Sequence, residues 1–580
     1  MSRKTLPLSR ETIAPFDLNT FVHQAADLNQ LNAQRFTMPF PKAPHRWLSH
    51  YHFTPRPIAL TAEGEVEGGL SWLIGAVIDF SFTRAICASS YSAQGGHCYD
   101  PASLFFLEVA AKVDQYADYA SFCGDLRQHD KGCRYRELAG LHKTIPGEDD
   151  LSYFRRRVGA PAIDTTMATL VDFFKAFGLI KGELLTTDGQ LEPSYSRFKG
   201  CAHFCRDCQQ LPLDEATRQE LCHQLQSRAT RIELLCPFPD VVDKVRKATA
   251  KTGKPHEPKV TLLEVAYVPD ENSPAAERQQ VAALLGLPVD EVPSLRLRQC
   301  RLTLGPQGEL RGRCPKVPSD LEARVGYHID TKDPSKKERV FGYLHQKTTD
   351  INGQLGLELP LGNSTYAANA DEGGLFQAHR AKVALPVLPQ QVQLADARDD
   401  TIDNDQEIRH QGGIPILGYN GRNEHLSPEA LVRRGYDQYG TPYAPCGRLC
   451  HSNGYDFRAN SRQYVCGLQC PPEEQAGCPH GQKVQGYSHR MSFHAYPRLI
   501  GPIQRGTPAW KRLYAARTAS ERINSYDQEV MSNGRPPKLR GLQAFRFSGA
   551  MRTLAQLLRR ACTFVLDATY TLGKLHAAQT

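Results

Sequence analysis

Thr507-Pro508-Ala509-Trp510-Lys511-Arg512-Leu513-Tyr514-Ala515-Ala516-Arg517-Thr518-Ala519-Ser520-Glu521-Arg522-Ile523-Asn524 is the stretch around which the chain is organised. Threonine is a good N-cap, and proline fits the first helical position, whose N–H has no helical partner in any case. Asn533-Gly534 supplies the matching stop. Between these ends Trp510, Tyr514, Arg517, Glu521 and Gln528 recur at helical intervals, which predicts one helix presenting them on one face. A carboxylate flanked by arginine and tyrosine suits a site that holds a metal ion against a phosphate. An ordinary amphipathic helix with a solvated Arg–Glu pair has the same pattern, so the rest of the chain has to decide.

Charge is concentrated around this helix. The chain of 580 residues has a net charge of +8, yet from Arg505 to Arg560 twelve lysines and arginines meet only Glu521, Asp527 and Glu529. A basic segment of that density points to a polyanionic partner. Within it, Leu539 to Leu558 reads as a packed helix whose arginines, Arg546 and Arg552 among them, face outward toward phosphate. The length exceeds one hydrophobic core, so three or more domains or large insertions are expected. Met1-Ser2-Arg3-Lys4-Thr5-Leu6-Pro7 has no signal-peptide core, and the apolar run Leu70 to Phe80 is too short to span a bilayer. These features predict a soluble cytosolic protein with no membrane partner. Seventeen cysteines, an odd count, argue against a disulfide framework and make the clustered ones candidate metal ligands.

Residues 1–95 are punctuated by proline and show no chemistry. Asp100-Pro101 starts a helical pattern through Leu104, Phe105, Leu107, Val109 and Val113, followed by further helical stretches at Ala120 to Leu126 and Tyr135 to Leu141. Asp149-Asp150 then opens a helix bearing Arg155, Arg156 and Arg157. This set is either a helix-turn-helix reader with arginines on DNA or a plain bundle with a solvated basic face. Gly182 to Gly189 reads as a short strand that delivers Asp188 at its C-terminal end before a glycine turn. Arg339 to Thr348 and Leu355 to Leu361 flank Asp350-Ile351-Asn352-Gly353 as a hairpin. Val392 to Asp396 is a second strand ending in aspartate, and Ile414 to Leu417 a further strand.

Strand with Asp188, hairpin, strand with Asp396, strand, helix with Glu521: this order resembles the DDE transposases of bacterial insertion sequences. Thr187-Asp188-Gly189 and Ala395-Asp396-Ala397 are similar to the two aspartate blocks. Phe341-Gly342-Tyr343-Leu344-His345 to Leu357-Glu358-Leu359 is similar to the hairpin, and Tyr514, Arg517 and Glu521 match the tyrosine–arginine–glutamate signature. Tyr99-Asp100-Pro101 with the Arg155–Arg157 helix is similar to the N-terminal helical domain. The implied fold is α/β, a ribonuclease-H-like catalytic core with two insertions plus an N-terminal helical domain. Residues 1–95 then have no assigned role, and 96–165 are a helical, candidate DNA-binding domain. Residues 166–200, 321–425 and 496–535 make the core, 201–320 and 426–495 are cysteine-bearing insertions, and 536–580 a basic C-terminal helix. Two departures stand out. Gln528 occupies a position where the family often has lysine, and Asp396-Ala397-Arg398-Asp399-Asp400 replaces a glycine–tyrosine continuation. Asp399 and Asp400 therefore compete with Asp396 for a metal; the strand pattern favours Asp396 and leaves Asp399 a loop residue outside the metal shell.

The resemblance implies two magnesium (or manganese) ions about 4 Å apart, held by Asp188, Asp396 and Glu521. They would serve phosphodiester cleavage and joining of the freed 3′ hydroxyl to target DNA. Arg517 would pair with a phosphate, and Tyr514 would contact a phosphate, stack on a base or simply pack. The implied partners are transposon ends and target DNA, bound as a homodimer or higher oligomer in the bacterial nucleoid. The alternative is a DNA-binding descendant that no longer cleaves. Cys446, Cys450, Cys466 and Cys470 form two close pairs with a strand-sized gap, candidates for one structural zinc, with Cys478-Pro479-His480 beside them. An earlier cluster runs Cys201-Ala202-His203-Phe204-Cys205-Arg206-Asp207-Cys208, with Cys222-His223 and the basic stretch Lys244 to Lys254 downstream.

Overall fold

The computed structural model describes residues 18–198 and 318–579, apart from 330–336, 384–387, 389, 422–423, 425–426 and 469; isolated strands at 263–267, 295–299, 303–304 and 310–311 lie between. The first cysteine cluster and the basic stretch Lys244 to Lys254 lie outside the described residues.

Six strands form one mixed sheet: β1 (Leu184–Pro193), β2 (Arg324–Ile329), β3 (Lys337–Asn352), β4 (Leu357–Ala367), β5 (Val392–Ala395) and β6 (Ile414–Leu417). Their order is β6-β5-β1-β3, and the far edge of the long β3 is shared. There β2 pairs with Lys337 to Gly342, and β4 pairs with Tyr343 to Asn352. β3 runs antiparallel to β1, β2 and β4, while β5 and β6 run parallel to β1. The fold is α/β with a mixed sheet.

Three expectations shift in register. β1 does not stop at Asp188-Gly189 but continues to Pro193, so Asp188 stands mid-strand opposite Lys347 of β3. The glycine serves close packing rather than a turn: a Cβ at Gly189 would lie 1.8 Å from Glu372 Oε1. The hairpin is longer than expected, and Asp350 and Asn352 belong to the strand. Their side chains tie down the segment entering β1. The Asp350 carboxylate accepts from Gly182 N (2.7 Å) and Lys181 N (3.2 Å), and Asn352 Nδ2 donates to Gly178 O and Leu179 O.

Helices cover both sheet faces. α1 (Pro101–Val113) starts as expected, with the Asp100 carboxylate accepting from Ala102 N. α2 (Glu148–Ala176) runs well beyond its arginines and bends at Gly159 (φ 68°), just before Pro161. Behind β5 and β6, Phe376 of α3 (Glu372–Lys382) and Ile408 of α4 (Ile402–His410) pack with Ala395 and Leu417. On the opposite face, Trp510, Leu513 and Tyr514 of α5 (Pro508–Ala515) lie on Leu184, Leu394, Ile414 and Ile416. α6 (Thr518–Tyr526) follows, and α7 (Leu542–Gln579) joins α1, α2 and β4 in the largest core through Leu554, Leu557 and Leu558. A separate three-stranded antiparallel sheet comprises β7 (His451–Asp456), β8 (Ser461–Val465) and β9 (Ser488–Ser492). Among the described residues no single helix is long and apolar enough to cross a membrane.

Candidate active site

Strand register brings the two aspartates together. Leu184, Leu185 and Thr186 of β1 pair with Val392, Gln393 and Leu394 of β5. Two residues further along in each case come Asp188, within β1, and Asp396, just past the end of β5, close enough for the Asp396 charge to act on Asp188. Alternation turns the even-numbered side chains of both strands to the face covered by α5 and α6. The tyrosine–arginine–glutamate stretch therefore packs on the face that presents both aspartates.

That stretch is not the single helix expected. The Thr507 cap forms, its hydroxyl accepting from Trp510 N, but the helix breaks after Ala515 and restarts at Thr518. Across the break, Ala516 N, Arg517 N, Ala519 N and Ser520 N reach carbonyls three residues back. The Thr518 and Ser520 hydroxyls also donate to the Ala515 and Arg517 carbonyls, competing with the α-helical ladder. Gln528 then falls in a π-turn (Asp527–Met531) and is exposed, off the face it was expected to share.

Arg517 is the cation among the acids. It donates to Glu521 Oε1 at 2.6 Å and lies near Asp188 and Asp396. Glu521 itself is half exposed. Tyr514 stacks on Trp510, ring centroids 4.7 Å apart, and its hydroxyl sits where a Cβ on Gly418 would be, 2.5 Å away, beside Ala397 N. Packing is thus its visible role. Asp396 Oδ1 accepts from Arg398 N (2.6 Å), and Asp188 Oδ2 accepts from Asn524 Nδ2 (3.1 Å).

Two residues of this neighbourhood escape the sequence reading, and a third, Asp399, ranks there below Asp396. Asn524 lies three residues after Glu521, an interval that could have flagged it. Glu372, at the start of α3, is 9% exposed and accepts from Arg398 Nη1 at 3.0 Å. Asp399 is no outlying loop residue. It is buried beside Glu372, Asp396 and Asp188, and burial together with these like charges lifts its carboxyl well above the usual range. Asp400 is occupied elsewhere, paired with Arg498 (2.7 Å) and Arg505 (3.0 Å).

Burial, with Glu372, Asp396 and Glu521 nearby, pushes the Asp188 carboxyl up to about 7 from 3.8, against the pull of Arg517. A proton held more tightly folded than unfolded stabilises the fold at low pH. In the metal-free protein this contribution is lost as pH rises through about 7. Cation and proton compete for the same oxygens, so Mn²⁺ affinity should fall roughly tenfold per pH unit below 7. Calorimetric titrations across about pH 5.5 to 7.5 measure that slope; a flat profile would rule out Asp188 as the linked group.

Among the described residues no three His, Cys, Asp or Glu side chains are gathered tightly enough to enclose an ion. Magnesium does not need such a cage, since it binds through one or two carboxylates plus water and substrate phosphate. Asp188 and Asp396, close enough to act on each other's charge, fit that requirement.

The arginines expected on DNA divide. Arg156 is exposed. Arg155 pairs with Glu108 (3.4 Å) and lies over the Tyr119 ring, while Arg157 lies over Tyr91 and Tyr153. Arg546 is half buried, donating to Thr365 O. Arg552 does not face outward. It is 3% exposed, bound to Glu192 at 2.8 Å and ion-paired with Asp527 at 3.1 Å, which takes it out of reach of phosphate. Much of the local basic excess is spent in this way, since Arg505 pairs with Asp400, and Arg522 and Arg560 with Glu358.

The cysteine pairs flank the β7–β8 hairpin. Cys446, Cys466, Cys470, Cys478 and His480 line one cleft, while Cys450 is buried behind it with its thiol pushed up to about 11, first by burial and then by Cys466 and Cys446. The donor set suits zinc, although no closed tetrahedron is formed. Elemental analysis is expected to find one zinc per chain, lost in Cys466→Ser/Cys470→Ser; full zinc in that variant would remove the assignment. No family model, no curated protein and no solved structure matches the chain.

Proposed function

We propose that the chain is a metal-dependent DNA transposase, cleaving phosphodiester bonds at the ends of an insertion sequence and joining the freed 3′ hydroxyl to target DNA. The observation that carries this reading is that adjacent strands bring Asp188 and Asp396 together with Arg517 and Glu521 of the stretch that also bears Tyr514. A ribonuclease-H-like core is supported by the way strand, hairpin, strand and strand join one sheet under one helix pair.

In this reading Asp188 and Asp396 hold magnesium, and Asn524 and the Arg398 backbone N–H fix their carboxylates. When bound, the metal activates the attacking oxygen and stabilises charge on the leaving one. Arg517 exchanges its carboxylate partners for a phosphate oxygen as DNA enters. Glu521, half exposed and on the same helix pair, closes the site from the solvent side.

A second reading, a DNA-binding descendant without cleavage, is favoured by the Glu521–Arg517 pair and by the exposed Gln528. Purified protein is expected to nick short duplexes carrying the element's ends in Mg²⁺ or Mn²⁺. Duplex binding without any cleavage would give the second reading the place of the first.

A further inference from the structure

We propose that Asp399 is a further ligand of the divalent cation held by Asp188 and Asp396. The inference rests on the reading that those two aspartates hold metal. Asp399 is 2% exposed, and its Oδ1 is buried without a hydrogen-bond partner. A buried carboxylate oxygen is ordinarily hydrogen-bonded or paired, because an uncompensated one is costly. The acids whose charges act on it are Glu372, Asp396 and Asp188; Arg398, the cation opposing them, is engaged at 3.0 Å with Glu372 Oε2. The fold holds Asp399 firmly in this position. Asp399 N donates to Asp396 O, and Asn404 Nδ2 donates both to Asp399 O (2.9 Å) and to Gly373 O (3.0 Å), locking the turn to the start of α3. Asp399 thus has a fixed backbone, a bare oxygen and three acids acting on it, with Arg398 engaged on Glu372, which is the environment of a cation ligand. Glu521, by contrast, is half exposed and already paired with Arg517.

The test is calorimetric Mn²⁺ binding and Mn²⁺-dependent melting of the full chain and of Asp399→Asn. Asp399→Asn is expected to bind Mn²⁺ at least about tenfold more weakly and to lose most of the metal-induced rise in Tm. Without metal it should melt no lower than the parent, because one of several mutually repelling carboxylates is gone. Unchanged Mn²⁺ affinity in Asp399→Asn overturns the proposal, as does a parent protein that binds no Mn²⁺. Asp399→Ser serves as a second variant; if circular dichroism shows both variants unfolded, Asp399 is a structural residue and the proposal fails. Cleavage measured in parallel reports separately on function. Asp399-dependent Mn²⁺ binding without DNA cutting keeps the ligand and removes the transposase. Cutting with Asp399-independent binding does the reverse.

Discussion

Asp188→Asn and Asp396→Asn are each expected to slow Mg²⁺-dependent strand cleavage by two orders of magnitude or more while leaving duplex binding intact. Each substitution keeps the size of the side chain and removes the charge that holds the metal. Loss of a preorganised charge that stabilises developing charge costs roughly 3–4 kcal/mol, and each 1.4 kcal/mol is about a factor of ten in rate. Under the proposed function, binding would depend instead on cationic contacts to the phosphate backbone, which an anionic carboxylate does not supply. Glu521→Gln should fall in the same direction but less far, because its carboxylate is half exposed and already shared with Arg517. Asp399 cannot serve as the unaffected control, since it is buried against the same acids. Asp403, exposed on α4, is the suitable one, and Asp403→Asn should cleave as the parent does. Gel-shift and cleavage on one duplex decide the matter. Equal loss of binding and cutting in Asp188→Asn would mean that the carboxylate supports the fold rather than the chemistry.

What was legible in the sequence is what is local in the fold. Val392–Ala395 and Ile414–Leu417 are recognisable as strands because short apolar runs bounded by polar turns have few other uses. Asp396 is recognisable for the same reason, standing at the end of such a run. Asp188 is expected at a strand end and stands mid-strand: Asp-Gly is turn chemistry in isolation, and only the Glu372 carboxylate, from far along the chain, explains the glycine. Glu372 carries no local signal, and Asp399 only that of a rival to Asp396. Their place in the site comes from a helix start and a turn that meet only after the sheet is built. The break between α5 and α6 does have a local cause, the Thr518 and Ser520 hydroxyls bonding backward, but helical periodicity alone hides it. The arginines mislead most. An excess of basic residues along a sequence resembles a nucleic-acid surface, yet whether each guanidinium meets phosphate or an internal carboxylate depends on tertiary partners.

Arg552→Ala is expected to destabilise the fold strongly and to do so before any effect on DNA contact can be read. Arg552 lies at the centre of a buried charge network. Its guanidinium grips Glu192 of β1 (2.8 and 2.9 Å) and pairs with Asp527 at the end of α6. Lys347 of β3 holds the other Asp527 oxygen at 2.5 Å, and His345 Nε2 meets Glu192 Oε2 at 2.7 Å. The Arg552 and His345 partners keep the Glu192 carboxyl well below its ordinary range, against burial, which acts to raise it. Its stability contribution is therefore present at neutral pH and lost only in strong acid. Truncating the arginine strands two carboxylates beside one lysine in the interior. Breaking a buried pair from one side costs about 3–5 kcal/mol, a large part of the 5–15 kcal/mol that holds a typical domain together. The melting temperature should drop by on the order of 10 °C. Restoring charge balance is the discriminating step: Arg552→Met combined with Glu192→Gln should recover much of the loss, because it leaves Lys347 and Asp527 as a balanced pair. A salt-dependent loss of duplex binding in an Arg552→Ala protein that melts like the parent would return this arginine to the DNA surface.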